Sequence, residues 1–168
     1  MAREGGGGLT VHGPATIPPV PDRGDDYLAA NDASRDRLHA LTARLTTQEL
    51  ARRVSGDWTV AASLAHLAFW DRATLIRWQR HRAGVPLVSV PDDLTDVLND
   101  AGLKQWQALN PDAVTRDVVA IAEELDAEIA SLPPELVANA TERFPRLLDR
   151  SAHRLEHIVE IDRTLTKK

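Results

Sequence analysis

Residues Gly56 to Arg72 read GDWTVAASLAHLAFWDR, the most apolar run in the chain. No proline or further glycine interrupts it before Gly84. Such a run predicts a helix from about Asp57, as N-cap, to about Ala83, with Gly84 forming the C-terminal turn. On either side the pattern stays helical. A first helix is expected from about Asp25 to Leu45, with Leu28, Leu38, Leu41 and Leu45 near one face. TTQELARRV reads as a short extra turn and VPLVSVP as a loop. A helix follows from about Asp92 to Leu109, carrying Leu94, Val97, Leu98 and Ala101. Pro111 then opens another at its first turn, with Val114, Val118, Ile121, Leu125 and Ile129 as its buried stripe. SLPPEL breaks that helix, and Pro145 opens a last one running to about Leu165.

Four long amphipathic helices with a broken or doubled third element predict an all-α four-helix bundle over residues 25–168. Residues 1–24 hold the run Gly5 to Gly8 and then Pro14, Pro18, Pro19 and Pro21, so they read as a flexible or extended N-terminal arm. That arm lacks the apolar h-region of a signal peptide, and no later segment is apolar enough to span a membrane.

The chain has 168 residues, enough for one well-cored domain. Its net charge of −5, with both signs interspersed, argues against a nucleic-acid partner. With no cysteine it has no disulfide and no thiolate metal ligand, and a cytoplasmic location is expected. A homodimer through a bundle face is compatible with this architecture.

Six histidines are present, and two of them fall in RSAHRLEHIVEIDR, Arg150 to Arg163. At about 100° per residue, His153 and His157 lie about 40° apart on the last helix, so both rings reach one point. The apolar residues Leu148, Leu155, Ile158, Val159 and Leu165 cluster opposite His153, and Ile161 borders His157. The pair therefore lies at the edge of the buried stripe, where a cleft could open. A solvated charged face is the competing reading. His66 changes that balance, because an imidazole among Leu64, Leu67, Phe69 and Trp70 needs a polar partner.

His66 with His153 and His157 could supply three nitrogens to one metal, leaving a position for water or substrate, as in catalytic sites. Neutral imidazoles suit zinc, nickel, copper or iron(II). The nearest ring nitrogens should then lie about 3–4 Å apart. Trp70 and Arg77, further along the same helix face, could give the groove an aromatic wall and a cationic end for substrate. Asp149 and Glu160 flank the pair one turn either side and are candidates to orient a ligand histidine. His153, Glu156 and His157 also spell the H-x-x-E-H of a metalloprotease class. Such proteases resemble one another in taking a glutamate ligand from well downstream, and Glu160 is the one glutamate after His157, so that reading is set aside. His12 falls in the arm, while His39 and His81 lie beside arginines and read as exposed.

GDWTVAASLAHLAFWDR followed far downstream by DRSAHRLEHIVEID resembles the DinB/YfiT-like superfamily. That superfamily includes the N-terminal domain of mycothiol-dependent maleylpyruvate isomerase and stand-alone thiol S-transferases. The resemblance covers about residues 25–166 and is specific in the two histidine motifs. It implies a four-helix bundle holding one divalent metal, zinc or nickel foremost, through His66, His153 and His157. Trp58 matches the tryptophan that opens the family's helix-two motif, where packing the end of the bundle is its expected role. The isomerase has a further C-terminal domain, and here the sequence given stops after the metal helix. The closer match is a transferase joining a mycothiol-type thiol to an electrophile. A metal-dependent hydrolase and a non-enzymatic metal-binding or interaction bundle are the alternatives.

Overall fold

The computed structural model describes residues 26–167. The expected N-terminal arm lies outside the described residues. Among the described residues, eight helices and one small hairpin follow in order: α1 (Asp26–Arg44), α2 (Thr47–Leu50), β1 (Arg53–Ser55), β2 (Trp58–Thr59), α3 (Val60–Arg82), α4 (Asp92–Gln107), α5 (Pro111–Ala130), α6 (Pro134–Arg143), α7 (Pro145–Leu148) and α8 (Ser151–Thr166). The architecture is the expected all-α bundle, made by α1, α3, α5 and α8. α3 packs on α5 and α8, and α1 packs on α5 and α8. α4 lies against α3 on the outside, so the doubled third element is α4 with α5.

The start of α3 departs from expectation. Asp57 is not its N-cap. Arg53–Ser55 and Trp58–Thr59 pair as an antiparallel hairpin, and Gly56 takes the turn at φ +47°, a left-handed conformation open to glycine. Thr59 is the cap, its hydroxyl accepting from the Ala62 N–H at 3.1 Å. From Val60 the helix is buried without break to Ala68, because it runs between α5 on one side and α8 and α4 on the others. Gly84 ends it as expected, at φ +88°.

α5 follows its pattern closely. Asn110 caps it, Pro111 occupies its first turn, and Val114, Val118, Ile121, Leu125 and Ile129 are all buried. α4 is different, with Trp106 its one buried residue among sixteen, while Leu94 and Val97 are exposed.

The last helix is broken where a continuous one was expected. α7 stops at Leu148, Asp149 is extended, and α8 starts at Ser151. Asn31, buried in α1, bridges the gap. Its Nδ2 donates to the Leu148 carbonyl at 2.8 Å, and its Oδ1 accepts from the N–H groups of Arg150 and Ser151 at 2.8 and 3.1 Å. The buried line of α8 is Ser151, Arg154, Ile158 and Ile161. Leu155, Val159 and Leu165 are only partly buried, and Leu148 belongs to α7. A further helix, α6, begins inside SLPPEL, at Pro134.

Candidate functional site

α3 and α8 cross so that His66 meets His153 and His157. His66 Nε2 lies 3.2 Å from His153 Nε2. One ring nitrogen from each histidine falls within a group no wider than 4.8 Å. The closest pair meets the expected spacing of about 3–4 Å, while the group as a whole is looser than metal–nitrogen bonds of about 2.1 Å would leave it. His153 and His157 reach His66 from one side because they are one turn apart on α8.

The surroundings are apolar on the other side. Trp58, Trp106 and Trp70 stand edge-on to the His66 ring, with centroids at 5.4, 5.3 and 6.4 Å. Trp58 therefore packs at the end of α3 and also touches His66. Phe69 adds to the cluster against Trp106. Gly102 lets the Trp106 indole approach, since a methyl at that position would fall 2.5 Å from the ring.

Burial controls the charge of this group. It pushes the His66 imidazole down to about 3, with the charges of His157 and Arg150 adding to it and Asn99 opposing. His153 is held well below its ordinary value by burial first, then by Arg150 and the other two histidines. His157 is lowered by burial, against the pull of Glu156. All three rings are therefore neutral near pH 7, the form that offers a lone pair.

A cavity of about 290 Å³ opens beside the histidines, lined by Trp70, Thr95, Asn99, Arg146, Arg150 and Glu156 together with His66 and His153. Asp149 also lines it, but its carboxylate accepts from the Ser151 N–H and Oγ–H at 2.9 and 2.5 Å, which starts α8 instead of orienting a histidine. Glu160 Oε2 lies 3.9 Å from His157 Nδ1, too far for a hydrogen bond. Burial raises the Glu160 carboxyl. Arg77 is not on the cavity wall; it donates to the Val88 carbonyl. Trp70 does line the cavity and donates from Nε1 to Asn99 Oδ1 at 3.0 Å. His39 is exposed, and His81 Nδ1 lies 2.9 Å from the Val85 carbonyl, away from the cavity.

The three imidazoles could hold a metal ion. His66 Nδ1 and His157 Nδ1 are buried without a hydrogen-bond partner, a deficit of about 1–3 kcal/mol for each such atom. Three neutral, sulfur-free imidazoles fit a divalent ion.

The model of the DinB superfamily matches residues 30–162. The chain belongs to the DinB superfamily. Curated proteins and solved structures gave no match.

The superfamily match runs from α1 into α8 and so spans all three histidines. Beneath them this DinB bundle holds a buried ion network that sequence reasoning missed. Asp71, on α3, accepts from Arg150 Nε and Arg154 Nε, both at 2.9 Å. Asp126, on α5, accepts from Arg154 Nη1 and Nη2 at 2.9 Å and from Arg35 Nη1 at 2.7 Å. Arg154 is fully buried. Arg150 Nη2 reaches His153 Nδ1 at 3.1 Å. The available signal was Asp71, a carboxylate inside the most apolar helix, which has to be paired.

Proposed function

We propose that His66, His153 and His157 hold one divalent ion, zinc or nickel, and that the protein transfers a mycothiol-type low-molecular-weight thiol to an electrophile. The observation carrying this reading is the convergence of three neutral imidazoles beside a cavity that reaches two of them. Such a metal, when bound, favours the deprotonated form of a thiol, which is the nucleophile. The chain has no cysteine, so the sulfur belongs to the cosubstrate.

The protein's own residues supply the setting. Trp58, Trp106 and Phe69 keep water from the back of His66. The network of Asp71, Asp126 and Arg154 fixes the rotation of α8 and hence the placing of His153 and His157. At about 290 Å³ the cavity encloses the reacting ends of two small molecules, and the bulk of a thiol cosubstrate extends over exposed Arg146 and Glu156.

Metal-loaded protein should consume mycothiol, bacillithiol or glutathione in the presence of a simple electrophile, at a rate rising with pH through a bound-thiol pKa below the free value of about 8.5. His157→Ala should eliminate the reaction, and Glu160→Gln should leave most of it. Absence of stoichiometric metal binding overturns the metal reading. Glu156, a carboxylate on the same cavity wall as His153, favours a hydrolase as the second reading. Ester cleavage that needs the metal, without thiol conjugation, would select it. No turnover of either kind would select a binding module.

A further inference from the structure

The contact between Arg150 and His153 fixes where a proton sits. A guanidinium only donates hydrogen bonds. With Arg150 Nη2 at 3.1 Å, His153 Nδ1 is therefore the acceptor and carries no proton. The one proton of the neutral ring is then on Nε2. That nitrogen faces His66 Nε2 at 3.2 Å, so His153 donates and His66 accepts. Holding a metal through Nε2 of His153 needs the opposite tautomer, with the lone pair on Nε2 and the proton on Nδ1. Arg150 has no lone pair to receive that proton's hydrogen bond. Nor is Arg150 loosely placed, since Nε donates to Asp71 at 2.9 Å and Nη1 to the Arg146 carbonyl at 3.1 Å.

We propose that Arg150 is a positioning residue that makes metal loading a two-state change: without metal it locks His153 as the Nε2–H tautomer, and loading requires its Nη2 to leave the ring. The inference rests on the metal reading of the three-histidine site. The protons balance. One leaves Nε2 and one arrives at Nδ1 through solvent, the ring stays neutral, and the ion takes the Nε2 lone pair. The planar guanidinium, still a cation, tilts as a unit to carry Nη2 into the cavity that Arg150 already lines, loosening its bonds to Asp71 and the Arg146 carbonyl. Arg150 thus opposes the metal in the empty form and becomes a donor facing a cavity-bound molecule in the loaded one.

Nitrogen-15 NMR of histidine-labelled full-length protein reads the tautomer directly. His153 Nδ1 should show the shift of an unprotonated nitrogen in metal-free protein and of a protonated one after equimolar zinc. A protonated Nδ1 in metal-free protein, or zinc bound with Nδ1 still unprotonated, overturns the lock and leaves the metal site standing. If zinc fails to bind the unaltered protein, both readings fall. Arg150→Met removes the donor and should lower the zinc Kd by about tenfold in calorimetry, the scale of such outer-sphere effects. An unchanged or higher Kd in a variant with native circular dichroism also overturns the lock. Should that variant not fold, the NMR of the unaltered protein decides alone.

Discussion

His66 governs how the metal-free protein answers acid. Its ring is neutral in the fold down to about 3, whereas in the unfolded chain it protonates near 6.5. Between those values the unfolded state binds the extra proton, so stability is whole above 6.5 and declines as pH falls toward 3. His153 and His157 shift in the same direction and add to the decline. The urea midpoint of metal-free protein should therefore drop through this range, and His66→Phe, which keeps an aromatic ring in the same apolar pocket, should drop less. An equal decline in both would show that other groups carry the acid response. The three histidines were legible because spacing on one helix and an anomaly in another are both sequence patterns. Arg150, Arg154 and Asp126 were not. A charged residue in an amphipathic helix reads as solvated unless its partner is known, and these carboxylate–arginine partners lie 28 to 91 positions apart.

At the level of elements, the junction between α7 and α8 does the most to place the site. Asp149→Ala removes one of the two side-chain acceptors of the Ser151 N–H, the other being Asn31 Oδ1, and should cost about 1 kcal/mol. It should also weaken zinc binding, because α8 carries two of the three histidines. Calorimetry with zinc separates these effects: a variant that loses stability with unchanged zinc affinity would show that the start of α8 does not set the histidines. Asn31→Leu leaves the Leu148 carbonyl and the Arg150 amide without their side-chain partner, while Ser151 keeps Asp149, and should cost more, above about 2 kcal/mol in urea titration. The sequence offered a continuous helix from Pro145 because its apolar spacing carries across the gap. The interruption depends on Asn31, a residue of α1 whose side chain replaces helical hydrogen bonds. The hairpin before α3 was equally hidden, since three- and two-residue strands are too short to alternate.

Taken whole, the molecule has a core complete without any ion. Leu64, Leu67, Trp78, Ile121, Leu125, Ile158 and Ile161 are all buried, and the ion network joins α1, α3, α5 and α8. Stripping metal with a chelator should leave the helical circular dichroism in place and remove only the stability linked to binding, about 2.7 kcal/mol when free metal stands at a hundred times its Kd. Loss of the helical signal would make the metal structural and weaken the enzyme reading. Bundle architecture was legible because four buried stripes recur at helical spacing, while the outward position of α4 was not, since its pattern matches that of a core helix. That position has a kinetic consequence. α4 is anchored by Trp106 alone among its buried residues, yet it carries Thr95 and Asn99 of the cavity wall. Its amides should exchange with deuterium through a local opening far cheaper than unfolding, while those of α3 from Ala62 to Ala68 wait for the whole fold to open. Matching exchange free energies in the two helices would refute this. The wall of the cavity then breathes on its own clock while the histidines stay in place.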